Sequence, residues 1–225
     1  EMTSSLVGSE MCIRDSLYEF KDEYANMPVD VQKDEEKGLY YVQKEKKRLY
    51  FRKSTPAKKI QKYYRALSME QDRRSPHHYF NSVKEVTGKV FVDVGCAEGY
   101  SSLEIIEEAK HVYLFEQDEQ WLEAIRATFE PWQDKVTIVQ KYVSDHNSSR
   151  EQTLDDFFNN QTNEHLFLKM DIEGAERHAL AGCNNLFQNC QKLDFAICTY
   201  HLRDDEEVIS TFLNKHNLSL IHISE

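Results

Sequence analysis

The sequence predicts an α/β sandwich on a mostly parallel sheet, preceded by a small hairpin-plus-helix extension. Three observations carry this reading. From Gly88 onward, five short apolar runs alternate with helical stretches, the pattern of parallel strands joined by crossover helices. The first of these runs passes through two closely spaced glycines straight into a helix. Hydrophobic residues make up 40% of the 225-residue chain, enough for one domain with its own core and an extension beside it.

Each element follows from local pattern. Residues 1–16 and 221–225 resemble translated sequencing-adapter segments, so both are expected to be non-native and to carry no function. Residues 17–80 are expected to form an N-terminal accessory region. Within it, 17–37 are polar and acidic with Pro28 inside, which predicts loop or fraying helix. Leu39-Tyr40-Tyr41-Val42 and Leu49-Tyr50-Phe51 flank a charged stretch and predict a β-hairpin. Pro56 opens a helix over 57–70, with Ile60, Tyr63, Tyr64 and Leu67 on one side. Residues 71–80 read as a turn. The main domain is expected over 81–220. Strands are predicted at 90–94, 111–115, 136–139, 166–170 and 193–198. Helices are predicted at 101–109, 118–129, 154–158, 175–190 and 204–216.

Charge and cysteines exclude several classes. The net charge of −11 disfavours nucleic-acid binding by bulk attraction. Residues 44–65 run against that balance, with ten basic side chains and one acid, Glu45. No apolar run approaches a membrane span. The five cysteines, Cys12, Cys96, Cys183, Cys190 and Cys198, form no C-x-x-C pair, which suits a reduced, cytoplasmic setting. The nine histidines show no H-x-x-x-H spacing, so no metal site is expected; Asp171, Glu173 and His201 would be its ligands if one existed.

The densest chemistry lies in Val92-Asp93-Val94-Gly95-Cys96-Ala97-Glu98-Gly99-Tyr100. Glycines at a strand–helix turn let the backbone approach a ligand closely, and the helix start favours a phosphate or a carboxylate. The spacing is not G-x-G-x-x-G, because Ala97 stands where the middle glycine would be, and no P-loop lysine follows. Asp93, two residues before Gly95, is placed to meet an α-amino group. Glu116 ends the next strand 23 residues after Asp93, where an acid can hold ribose hydroxyls. An amino-acid head joined to a ribose describes S-adenosylmethionine. A second acidic block, Lys169-Met170-Asp171-Ile172-Glu173-Gly174-Ala175-Glu176, ends the fourth strand, which should face the glycine loop across the ligand crevice.

These blocks resemble the FkbM-like class I S-adenosylmethionine-dependent methyltransferases. The similarity is carried by 92–99, by Leu114-Phe115-Glu116, by Thr153-Leu154-Asp155-Asp156-Phe157, by 168–176 as a K-x-D-x-E-G-x-E block, and by Thr199-Tyr200-His201 with Asp204 or Asp205. It covers about residues 75–213. Cys96-Ala97-Glu98 departs from the Ala-Asn-x that many relatives carry. The resemblance implies a Rossmann-like methyltransferase sandwich with S-adenosylmethionine as cofactor. It places Asp93, Gly95, Ala97, Glu98 and Gly99 at the methionine end, Glu116 at the ribose, and Ser144 and Asp145 beside adenine. Asp171 and His201 become the candidate catalytic groups, acting on an unidentified methyl acceptor, most simply a small-molecule or sugar hydroxyl. It also implies a C-terminally truncated domain, because relatives end in a further antiparallel strand pair. The competing readings are a non-catalytic binding module that uses the basic 44–65 stretch, and an oxidoreductase disfavoured by Ala97.

Overall fold

The computed structural model describes residues 19–159, 164–190 and 192–216. The expected leader and tail, 1–16 and 221–225, lie outside them. The described residues open with a short helix, α1 (Lys21–Ala25), then β1 (Val31–Asp34), β2 (Leu39–Lys44), β3 (Lys47–Tyr50) and α2 (Ala57–Glu70). The expected two-stranded hairpin is therefore a three-stranded antiparallel sheet, β1-β2-β3. The added strand, Val-Gln-Lys-Asp, has one apolar residue and is held by the ladder to β2 and by Tyr41, whose hydroxyl donates to Gln32 at 2.6 Å.

The main sheet contains β4 (Val90–Val94), β5 (His111–Phe115), β6 (Val136–Val139), β9 (Leu166–Met170) and β10 (Leu193–Ile197). All pairings are parallel, in the order β10-β9-β4-β5-β6. Between β6 and β9 lies a small parallel pair that sequence pattern did not announce, β7 (Tyr142–Val143) with β8 (Glu151–Gln152). Helices α3 (Tyr100–Ile105), α4 (Glu119–Phe129), α5 (Leu154–Phe157), α6 (Glu176–Ala181), α7 (Asn184–Asn189) and α8 (Asp205–Lys215) complete the sandwich. β4 and β9 are buried at every position, as central strands covered on both faces must be.

Side chains alternate between two cores. Val90, Val92 and Val94 pack with Leu168, Met170, Leu180, Phe187 and Ile209. Phe91 faces the other way, toward Leu103, Val112, Leu114 and Ile125, and this core continues into Leu39, Leu49, Phe51 and Ile60 of the N-terminal region. Much of the basic stretch serves that junction. Lys44 lies 3.6 Å over the Tyr100 ring, Lys47 donates to the Leu103 carbonyl at 2.7 Å, and Arg52 pairs with Asp118 at 2.8 Å.

The helix expected over 175–190 is broken into α6 and α7 at Gly182. A Cβ there would lie 2.1 Å from the Ser144 carbonyl oxygen, so the backbone passes too close to the β7 exit for any side chain. Among the described residues no helix is long and apolar enough to cross a membrane.

The N-terminal end is fastened electrostatically. Arg74 bonds Glu23 and Asp72 at 2.8 Å, and Tyr24 donates to Asp72 at 2.6 Å. Arg74, with help from Tyr24, holds the Asp72 carboxyl well below the usual carboxylate range. A depressed carboxyl contributes stability above its unfolded pKa, about 3.9, and loses it as pH falls toward its folded value. Amide protection of α1 should therefore drop between about pH 4 and 2 while β4 keeps its own. Unchanged α1 protection over that range, measured by hydrogen exchange corrected for intrinsic rates, would refute this fastening.

Candidate active site

β4 runs directly into the loop 95–99, where Gly95, Ala97 and Gly99 have φ of +78°, +46° and +80°. Gly95 has the strictest need. A Cβ there would lie 2.2 Å from the Asp171 carbonyl oxygen and 2.6 Å from Ile172 Cγ2, so the loop rests against the chain leaving β9. On the other side it is pinned to β5: the N–H groups of Gly95 and Cys96 donate to the Phe115 carbonyl at 3.0 and 3.2 Å.

Glu116, just past β5, fastens the loop from its own carboxylate. Oε2 accepts from the Ala97 N–H at 3.0 Å and Oε1 from the Asp118 N–H at 2.8 Å. Each oxygen keeps a second lone pair, so Glu116 can still accept from a ligand. Burial pushes its carboxyl above the ordinary value. Glu98 is buried too, and accepts from the Tyr63 hydroxyl of α2 at 2.7 Å. Burial likewise pushes its carboxyl up, so it sits in a place where a cation would be welcome.

Asp93 has a different partner from the expected α-amino group. It is 1% exposed, paired with Lys169 at 2.9 Å through Oδ1 and bonded by the Ser102 hydroxyl at 2.6 Å through Oδ2. The cause is strand register, since Asp93 of β4 stands opposite Lys169 of β9. Lys169 also donates to the Gly95 carbonyl at 2.9 Å. The pair thus supports the loop from beneath.

The structure brings Asp171 and His201 together. His201 Nε2 lies 3.5 Å from Asp171 Oδ1 and 3.7 Å from Glu173 Oε2, while Nδ1 lies 2.9 Å from Glu176 Oε1. Glu176 is fully buried, and its Oε1 also accepts from the Ile172 N–H at 2.9 Å. Burial disfavours the charged imidazole, but Glu176, Asp171 and Glu173 together hold His201 above its ordinary pKa.

Ser144 and Asp145, just past β7, have protein partners of their own. Ser144 packs its carbonyl against Gly182, and Asp145 pairs with His146 at 2.7 Å and with His178 of α6 at 3.4 Å. These two histidines hold the Asp145 carboxyl below its usual value.

Three site neighbours come from the N-terminal region and carried no motif. Tyr79 donates to Asp171 Oδ2 at 2.5 Å, Tyr63 reaches Glu98, and the His77 ring meets the Tyr200 ring edge-on at 4.9 Å. Only the helical stripe of Tyr63 hinted at any of them. Glu176 lay inside a noted block, but its service to His201 depends on a loop crossing that spacing does not reveal.

Fold and site together define a parallel α/β sandwich with its chemistry at the carboxyl ends of the strands, on both sides of the β4–β9 junction where the strand order reverses. The chain belongs to the methyltransferase FkbM domain family, whose model matches residues 94–206. It is similar in structure to a candidate RNA methyltransferase from Pyrococcus horikoshii (17% identity, TM-score 0.43, covering 61% of this chain and 63% of that one). It is also similar to precorrin-6y C5,15-methyltransferase from Geobacter metallireducens (14% identity, TM-score 0.42, covering 60% of this chain and 68% of that one). No curated protein matches the sequence.

Proposed function

We propose that the chain is an S-adenosylmethionine-dependent methyltransferase acting on a hydroxyl oxygen of a small molecule or sugar. The observation that carries this is the Glu116 carboxylate, bonded to the Ala97 N–H of the glycine loop across the crevice from Asp171 and His201.

The donor set suits that cofactor. Glu116 has acceptor capacity left for two ribose hydroxyls. Glu98, buried and desolvated, is the acid that remains for the α-ammonium once Asp93 is committed to Lys169. Val143, buried beside Phe115 in the second core, offers an apolar wall to the adenine next to Ser144. Bound there, S-adenosylmethionine supplies an electrophilic methyl group for in-line displacement. The residues of the chain do the rest. The loop and Glu116 fix the donor's position, and positioning accounts for much of the acceleration in such transfers. Asp171 and His201 orient the acceptor hydroxyl and take its proton. Tyr79 holds Asp171 in place, and Glu176 holds the His201 ring.

Replacing Glu116 with Ala should remove charge-assisted bonds worth about 1.5–3 kcal/mol, a loss of roughly 10- to 150-fold in S-adenosylmethionine affinity. Titration calorimetry on the folded variant measures it, and an unchanged affinity would remove Glu116 from the cofactor site.

A further inference from the structure

We propose that Glu70, at the end of α2, is a substrate-contacting residue whose carboxylate meets the sulfonium charge of the methyl donor; the assignment rests on the crevice being an S-adenosylmethionine site.

Glu70 closes α2 seven residues after Tyr63. Seven residues make close to two helical turns, so both lie on one face, about 10 Å apart along the axis. Tyr63 anchors that face to Glu98 of the glycine loop at 2.7 Å. Beyond Glu70 the chain crosses to the other half of the crevice, where the His77 ring meets Tyr200 and Tyr79 donates to Asp171. Glu70 is thus set between the two anchors, and its charge acts on Glu98 to one side and on Asp171 and Glu173 to the other. In the proposed function the loop holds the methionine end of the donor and Asp171 orients the acceptor. The sulfonium and its methyl group belong in the interval between them, beside Glu70.

The chemistry of Glu70 suits that place. Among the described residues its carboxyl has no hydrogen-bond or ion-pair partner, although the side chain is largely withdrawn from water. The lysine within reach of its charge, Lys169, is paired with Asp93 at 2.9 Å. Burial, then Asp171 and Glu98, push the Glu70 carboxyl up to about 8. A desolvated acid set among other acids gains nothing from the fold, and a cation brought beside it reverses the balance. S-adenosylmethionine carries such a cation at sulfur. The thioether left after transfer, S-adenosylhomocysteine, carries none there. Glu70 therefore favours the charged donor over the spent product, which aids product release.

The protonation sign follows. The carboxyl is raised in the empty crevice and lowered beside a sulfonium, so donor binding releases a proton between those two values and strengthens as pH rises toward 8. Burial and neighbouring charges also shift His77, Glu98, Glu173 and His201 in this crevice. The contribution of Glu70 is accordingly read as a difference between two ligands that share the same α-ammonium and ribose.

Titration calorimetry of the full chain at pH 7, in two buffers of different ionisation enthalpy, counts the protons. S-adenosylmethionine should release roughly 0.4–0.9 proton more than S-adenosylhomocysteine. At pH 8, Glu70→Gln should lower S-adenosylmethionine affinity at least about fivefold, leave S-adenosylhomocysteine affinity nearly unchanged, and remove the difference in proton release. Equal proton release with both ligands would overturn the assignment, and that readout on the unaltered chain needs no variant to fold. An equal loss of affinity for both ligands in Glu70→Gln would overturn it too, since the sulfonium would then not be what Glu70 meets. Failure of both ligands to bind would overturn the methyl-donor reading and this assignment with it, a result distinct from binding without the proton signal.

Discussion

Lys169→Met is expected to destabilise the fold more than any other single side-chain replacement in the site, by about 3–5 kcal/mol. The residue is 5% exposed and its partner Asp93 is 1% exposed, both inside the sheet where water cannot replace a lost contact. Removing the ammonium leaves the Asp93 carboxylate with one neutral donor, Ser102. An uncompensated buried charge costs far more than the intact pair contributes. Burial disfavours the charged lysine, but Asp93 opposes loss of the Lys169 proton strongly enough that the lysine is held above its ordinary pKa. The effect should reach the loop, because Lys169 also grips the Gly95 carbonyl. Denaturant unfolding should show the loss as a lower midpoint with the slope unchanged. The double variant Asp93→Asn with Lys169→Met should recover a large part of it, since no charge then remains buried. A loss below about 1 kcal/mol in the single variant would mean that water reaches the pair.

Gly95→Ala is expected to weaken cofactor binding at least tenfold with a smaller loss of stability. Two penalties add at this position. The backbone φ of +78° lies where an L side chain costs roughly 1–2 kcal/mol. The added Cβ would also sit 2.2 Å from the Asp171 carbonyl oxygen, and backbone does not yield as a flexible side chain does. The loop must therefore move off the end of β9, carrying the Ala97 N–H away from Glu116 and shifting the two halves of the crevice apart. A displacement of about 1 Å between reacting groups can cost a hundredfold in rate. Measured by calorimetry, S-adenosylmethionine affinity should fall at least tenfold while the far-ultraviolet spectrum is retained. Wild-type affinity in this variant would mean that the loop does not contact the ligand.

The elements legible in the sequence are those whose physics is local. β4, β5, β6 and β9 match their expected limits to the residue, because each is a mostly apolar run closed by Gly95, Glu116, Gln140 or Asp171 at a parallel strand end. The α2 limits match as well, set by Pro56 and by the stripe Ile60, Tyr63, Tyr64 and Leu67. What sequence pattern missed depends on contacts between distant segments. β1 is a polar strand recruited by β2. The break falls where Gly182, Cys183 and Asn184, all weak helix formers, follow α6, and the close Ser144 carbonyl admits only glycine at 182. The site divides in the same way. Glu116 and the glycine loop could be placed from spacing, since one strand–loop–helix unit contains the turn and the next strand contains the acid. The partner of Asp93 could not, although Lys169 stood in a recognised block, because strand register alone brings them together. Tyr79 and Tyr63 reach the crevice from a region with no motif at all.

We propose the crevice at the ends of β4, β5 and β9 as a methyl-donor site. Titration calorimetry of the unaltered chain with S-adenosylmethionine, and in parallel with NAD, tests it most directly. Saturable one-to-one binding of S-adenosylmethionine, with none for NAD at the same concentrations, is the expected result. Tighter binding of NAD, or no heat from S-adenosylmethionine with a chain that circular dichroism shows to be folded, would contradict it.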